Sequence, residues 1–435
     1  MSANADQLSK TLGEANVIDW TLIPADTQHQ IVNALATDTM PTCMAMPSTV
    51  AELAQVMAIA AQNRWRVLPT GQSSKLSWGG LVEAVDLVIS TAKLNRVIDH
   101  AIGDYTVTVE SGIKVADLQA ILAEQGQFLA IDPAFAQTAT VGGVVATADT
   151  GSRRQRYGGL RDLLIGVQFV RYDGEVARAG GRVVKNVAGY DLMKLMTGAY
   201  GSLGILSELT FRLHPRQAYS RTLVLSGGAQ AIKAATAEVR LSGLTPVALD
   251  VTSRADNQCN QMALSLIARF QGVADGVEEQ TLQLKKIATT HSMPCKQLDG
   301  AEDVAFLQRA AAEIRSDTVL CKVGLRPSGI PWLIELIDEI NLGAEARLYG
   351  SSGLGWIQFE PAGKTPEEMV SGLEKLRSHC QKNAGFLTLL QAPKSLKQAI
   401  EVWGYSGNAI GVMSDIKQKF DPHRLLSPGR FVGNL

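Results

Sequence analysis

The sequence predicts an α+β protein of two domains. Three observations carry that expectation. The chain has 435 residues, more than one hydrophobic core usually organises. From Met40 to about Pro215, short β-rich runs alternate with Gly-rich turns. From Ala218 to about Pro393 the order becomes β-α-β-β-α-β, twice over, the second copy being the clearer. Such an order reads as two ferredoxin-like units side by side. The expected division is an N-terminal segment at 1–39, a first domain at 40–217, an α+β cap at 218–393 and a C-terminal segment at 394–435.

In the first domain, Ser48 is placed to cap a helix over Val50 to Asn63. Apolar residues recur there at Val50, Leu53, Val56, Met57 and Ala60. Trp65 to Leu68, Asp86 to Ser90 and Tyr105 to Glu110 read as strands. Val115 to Gly126 reads as a helix closed by a glycine. Leu163 to Tyr172 and Ile205 to Leu213 alternate as strands, and Asp173-Gly174 is a hairpin signal. In the cap, the first copy has strands at Thr222–Ser226, Pro246–Thr252 and Ala263–Phe270, with helices at Gln230–Leu241 and Glu278–Thr290. The second has strands at Val319–Leu325, Ala346–Gly350, Gly355–Phe359 and Phe386–Leu390. Its helices fall at Pro331–Ile340 and Pro366–Asn383. Gly350 to Gly355 reads as a link between two cap strands, since no strand–loop–helix phosphate motif surrounds it. The segment from Leu396 holds one helix and a Pro/Gly-punctuated tail.

Composition excludes several classes. Lys plus Arg number 41 and Asp plus Glu 42, so no broad field attracts nucleic acid or anionic lipid. Met1 to Trp20 contains acidic residues and no apolar core, unlike a signal peptide. The five cysteines are scattered and never at C-x-x-C spacing. That argues against a disulfide framework, a zinc site or an iron–sulfur cluster and fits a reducing cytoplasm. No two of the six histidines stand at H-x-H or H-x-x-H spacing, so no metal is expected.

Three separated motifs carry the chemistry. Pro69-Thr-Gly-Gln-Ser-Ser-Lys75 follows a strand. Gly71 can take positive φ, and small side chains leave amides exposed as an anion nest suited to a diphosphate. The second motif runs from Asp132-Pro133 through Thr140-Val-Gly-Gly-Val-Val-Ala-Thr147 to Thr150-Gly151. Its paired glycines allow close approach of a flat ligand, or mark a sheet bend. The third spans Arg178–Arg182, Lys185-Asn186, Gly189–Leu192 and Gly198-Ala-Tyr-Gly-Ser-Leu-Gly-Ile205. Glycines every third residue there suit a loop laid against a ligand better than a helix.

In this order the motifs resemble the FAD-binding domain of the vanillyl-alcohol oxidase / p-cresol methylhydroxylase (PCMH) superfamily, over about Met40 to Pro215. The tail Asp421-Pro-His-Arg-Leu-Leu-Ser-Pro-Gly429 is similar to its closing segment. The resemblance implies an α+β fold: a two-subdomain PCMH-type FAD-binding domain, the ferredoxin-like cap, and a C-terminal segment returning to the flavin domain. The cofactor contacts it implies are Thr70, Gly71, Gln72, Ser73, Ser74 and Lys75 at the diphosphate. Ala134, Gln137, Thr138, Thr140, Gly142, Gly143, Thr147, Thr150, Gly201, Ser202, Gly204 and Ile205 follow at the rest of FAD. Members that attach FAD covalently use His or Cys. Here Gln72, Ser73 and Ser74 stand at the corresponding places in the first loop, so non-covalent FAD is expected.

The run Arg182-Val-Val-Lys-Asn-Val-Ala-Gly-Tyr-Asp191, with Lys194-Leu-Met-Thr-Gly198, resembles the family of FAD-binding E subunits of glycolate oxidase. That likeness implies oxidation of a 2-hydroxy acid, glycolate or D-lactate. It also implies a related flavoprotein subunit and an iron–sulfur subunit as partners, with peripheral attachment to the inner membrane through them. The alternative is a non-catalytic, FAD-binding relay or scaffold subunit.

Such chemistry needs a base, a hydride acceptor and a carboxylate clamp, for which the fork of Arg is suited. Arg326, Arg347, Tyr190 and His423 are the candidates. Arg153, Arg154, Arg156 and Arg182 lie in the flavin-domain motifs. The ordinary reading of each arginine is a surface or structural role. Tyr190 and Asp191 read as packing and a helix cap. Trp332, Trp356 and Trp403 border a pocket or belong to the core. Ser427 stands where relatives usually have Asn.

Overall fold

The computed structural model describes residues 2–182, 189–256 and 261–435, with the side chains of 255–263 outside the description. Lys185, Asn186 and Cys259 lie outside the described residues. The chain forms two compact units, one of residues 1–150, 159–216 and 406–435, the other of 151–158 and 217–405.

The first unit contains two sheets. A four-stranded sheet runs Val17–Asp19, Cys43–Ala45, Leu87–Ser90, Val67–Thr70, the last three parallel. One face packs the helices Ala3–Leu12 and Val50–Gln62 through Leu8, Leu53, Val56, Met57 and Ala60. Each fully buried aliphatic here contributes about 1.5–3 kcal/mol. The opposite face buries Ile31, Leu35, Leu76, Val82 and Val85. The second sheet is antiparallel and five-stranded, in the order Val97–Ala101, Thr106–Glu110, Ile205–Arg212, Leu164–Val170, Val176–Gly180. Gly174, with φ of +88°, makes the hairpin turn expected at Asp173-Gly174.

The cap of the second unit repeats one plan. Tyr219–Ser226, helix Ala229–Leu241, Ala248–Asp256, Gln261–Gly272, helix Ala274–Thr290 and Cys295–Asp299 form the first half. Val319–Gly324, helix Ile330–Ile340, Glu345–Tyr349, Leu354–Phe359, helix Pro366–Lys382 and Phe386–Gln391 form the second. In each half the strands lie in the spatial order fourth, first, third, second, all antiparallel. The second strands of the two halves pair with each other, Asp250 opposite Tyr349 through Ser253 opposite Ala346, making one eight-stranded sheet.

Several local expectations change. The cap of Val50–Gln62 is Thr49, whose hydroxyl accepts from the Glu52 amide at 3.1 Å, while the Ser48 amide donates to the Glu52 carboxylate at 2.7 Å. Val141 to Thr147 is a helix, not a sheet bend, and Thr140 caps it by accepting from the Gly143 amide at 3.1 Å. The N-terminal segment at 1–39 is part of the first unit, where Val17–Asp19 pairs with Cys43–Ala45. Residues 394–405 belong to the second unit, where the Leu389 amide donates to Val402 O at 2.8 Å. Gly151 to Gly158, read as part of the flavin motif, also belongs there, and the Ser152 hydroxyl donates to buried Asp250 at 2.5 Å. Arg153, Arg154 and Arg156 go with it. Among the described residues no helix is long and apolar enough to cross a membrane.

Candidate functional site

Within the first unit, the ends of both sheets and the helix Val141–Thr147 wall a cleft that opens to solvent. One wall is the loop after Val67–Thr70. Its carbonyls are held: Thr70 O accepts from the Thr91 amide at 2.9 Å, and Gly71 O from the Ser90 hydroxyl at 2.9 Å. The amides of Gly71, Gln72, Ser73, Ser74 and Lys75 donate to no group among the described residues. A run of free amides is an anion nest. The left-handed residue in it is Ser73, with φ of +62°, and not Gly71. Gly71 is required for space instead: a Cβ there would meet Thr140 Oγ1 at 2.3 Å.

The opposite wall is the helix and the glycine loop that follows it in space. The Gly142 amide donates to Ser111 O at 2.8 Å, and a Cβ on Gly142 would meet Ser111 at 2.8 Å. The helix ends where Ala148 turns left-handed, and the carbonyls of Val145 and Ala146 accept from the amides of Gly198 and Tyr200, each at 2.9 Å. Gly201, at φ +72°, lies against Pro69, where a Cβ would meet the ring at 2.7 Å. Two backbone walls therefore approach each other as glycine alone permits.

Thr70 to Lys75, Thr140, Gly142, Gly143, Thr147, Gly201, Gly204 and Ile205 line the cleft. Ala134, Gln137, Thr138, Thr150 and Ser202 are not among the lining residues. Gln137 and Thr138 are exposed, the Ala134 amide donates to Asp149 at 2.9 Å, and the Ser202 hydroxyl donates to Ala199 O at 2.7 Å. Leu206, which the resemblance also implies, lines the cleft, as does Tyr200 of the third motif; lining residues that the sequence reading missed include Ser111 and Arg430. Arg430 lies one position beyond the tail motif, where an arginine carries no distinguishing signal.

Electrostatically the lining is sparse. Lys75 and Arg430 are the only Lys, Arg, Asp, Glu or His side chains among the lining residues. Lys75 is buried, 3.1 Å from Asp149 Oδ2 and 5.5 Å above the Trp78 ring. Burial pulls its ammonium below the usual lysine range, and Asp149 only partly opposes that. Arg430 is 4% exposed and donates to Leu76 O at 2.8 Å and Trp78 O at 3.1 Å. Burial pulls it down to about 10, with the Tyr200 phenol opposing. Burial raises the Tyr200 phenol itself.

The catalytic candidates do not gather in the cleft. Tyr190 is 90% exposed. His423 is exposed and packs edge-on to Tyr172, ring centroids 5.6 Å apart. Arg182 pairs with Asp99 at 3.3 Å, and Asp191 caps the helix Leu192–Met196. In the cap, Arg326 is exposed, while Arg347 is buried against Glu313 at 3.2 Å and Asp250 at 3.8 Å. That pairing gives Arg347 a structural role at the seam between the two half-sheets. Trp332 is 46% exposed beneath the Lys233 ammonium, and Trp403 packs against the core. Among the described residues no three His, Cys, Asp or Glu side chains form a metal cluster.

A flavin dinucleotide fits this cleft on three counts: free amides for a diphosphate, two glycine-lined walls for a flat ring, and a buried cation. Comparison with known proteins agrees. Residues 41–180 match the family model described as an FAD binding domain. An uncharacterized FAD-linked oxidoreductase of Mycobacterium tuberculosis, Rv2280, is 25% identical over the whole of both chains. Glycolate oxidase subunit GlcD of Bacillus subtilis is 23% identical over 90% of this chain and 89% of its own. Glycolate oxidase subunit GlcE of Escherichia coli is 37% identical over 29% of this chain and 37% of its own. Among solved structures, p-cresol methylhydroxylase superposes with a TM-score of 0.75 at 14% identity, covering 98% of this chain and 96% of that one.

Proposed function

Taking as premise that the chain has the PCMH-type fold, binds FAD and is an FAD-dependent oxidoreductase, we propose that it is the FAD subunit of a complex oxidising a small 2-hydroxy acid. The substrate is glycolate or D-lactate and the product the 2-oxo acid. The observation that carries this reading is the 37% identity with GlcE over 128 residues, and the full-length likeness to GlcD supports it. The partners are a related flavoprotein subunit and an iron–sulfur subunit, in the cytoplasm or at the inner membrane through them.

Bound FAD accepts the α-hydrogen of the substrate as hydride while a base takes the hydroxyl proton. The chain's own contribution is to seat the cofactor. The nest at Gly71 to Lys75 holds the diphosphate, the glycine walls hold the ring system, and the absence of His or Cys at residues 72–74 leaves the cofactor dissociable. A second reading is a subunit that binds FAD and relays electrons without oxidising substrate itself. The neutralisation of Arg347 by two carboxylates and the exposure of Tyr190 and His423 favour weighing it.

Anaerobic mixing of the purified chain with glycolate or D-lactate tests both. Loss of flavin absorbance near about 450 nm with the chain alone supports the first reading. Loss only in the presence of partner subunits supports the second, and none under either condition overturns both.

A further inference from the structure

Arg430 is a buried cation without a carboxylate. Its guanidinium meets carbonyls of Lys75, Leu76 and Trp78, and the Tyr200 ring lies 6.0 Å away. Its Nε has no hydrogen-bond partner among the described residues. The other charged lining residue, Lys75, is already neutralised by Asp149. An uncompensated buried charge is costly, and removing its counter-ion is more so. The position therefore calls for an anion from outside the chain. The carbonyls that grip Arg430 belong to the loop whose amides at Gly71 to Lys75 are free, so nest and cation face one cleft.

The tail that delivers Arg430 is itself built into that loop's support. The Val67 amide donates to Leu425 O at 2.7 Å and the Ser427 amide to Val67 O at 2.9 Å, extending the four-stranded sheet. The Glu83 amide donates to Pro428 O at 2.8 Å. Buried Lys417 donates to Asp421 at 2.7 Å, Ser202 O at 2.7 Å and Leu426 O at 2.9 Å. Through Ser202, the tail also holds the glycine loop of the far wall.

We propose that Arg430 is a cofactor-binding residue supplying the counter-charge to the FAD diphosphate, and that the C-terminal tail is a latch whose ordering is coupled to cofactor binding. Ligand and tail then stabilise each other by linkage. This rests on the cofactor being dissociable, which titration of the wild-type apoprotein checks separately.

The test compares FAD with riboflavin, which lacks phosphate, on wild type, R430Q and R430K. The expected result is FAD affinity weakened on the order of 10- to 100-fold in R430Q, largely kept in R430K, and riboflavin affinity unchanged in both. Equal weakening of FAD and riboflavin, or no weakening of FAD, overturns the proposal. Should R430Q fail to fold, the wild type decides by amide exchange with ADP as probe. Slower exchange across 425–431 on adding ADP supports the latch, and unchanged exchange overturns it.

Discussion

A Cβ on Gly71 would sit 2.3 Å from Thr140 Oγ1 and 2.7 Å from its methyl, so the residue is fixed by its neighbour across the cleft. The sequence makes the glycine conspicuous but ascribes it to backbone freedom, because a contact over about 70 positions leaves no local trace. The same holds for Arg430, which belongs to the cleft only once the tail has folded back. By contrast, the Gln72-Ser73-Ser74 run and the glycines at 201 and 204 are legible directly, since small residues beside a strand end mark close backbone approach. Gly71→Ala should destabilise the protein by about 1–3 kcal/mol and weaken FAD, measured by denaturant melts and flavin titration. Gly103→Ala, where nothing lies within 4 Å of the added carbon, should change stability by less than about 1 kcal/mol. Ser427 adopts φ of +44°, a left-handed conformation that Asn tolerates better than Ser.

At the scale of elements, periodic segments read well and short irregular ones do not. Helices such as Val50–Gln62 and Pro366–Lys382 announce themselves by spacing and capping; Thr365 and Glu368 form a capping box behind Pro366. Val141–Thr147 was illegible because Val-Gly-Gly-Val-Val has poor helical propensity. It stands because Thr140 caps it and Ser111, Gly198 and Tyr200 take up its end groups. The tail clasp should be severe to break. Lys417→Met leaves the fully buried Asp421 carboxylate without its cation and should cost about 3–5 kcal/mol, read from chemical denaturation. A pH dependence belongs to the parallel sheet. Burial alone would raise Asp86, but its bonds with the Arg66 side chain and amide, at 2.9 and 2.8 Å, outweigh it and hold the carboxyl low. A depressed carboxyl adds stability above its unfolded pKa, near about 4, which is lost as pH falls through the folded value. Asp86→Asn should therefore flatten the acid limb of the stability–pH curve below about pH 4; an unchanged limb would contradict the assignment.

For the molecule as a whole, the sequence conveys two domains and the doubled β-α-β-β-α-β plan, because each half repeats its own periodicity. It does not convey which unit short crossing segments join. Gly151–Gly158 carries flavin-motif composition yet packs with the second unit through Ser152 and Asp250. FAD is expected to raise the thermal transition of the unit containing the cleft, so a calorimetric scan of the holoprotein should show a higher melting temperature than the apoprotein, rising with the logarithm of free FAD. The catalytic residues stay beyond reach of motif reading, since the arginines and histidines singled out lie exposed or neutralised. The most direct test of the central claim, that this glycine-walled cleft seats one dissociable FAD, is acid precipitation of the purified holoprotein with flavin quantified in both fractions. One FAD per chain, recovered in the supernatant from a colourless pellet, is the expected result. Flavin retained on the precipitated protein, or a chain that binds none on reconstitution, would contradict it.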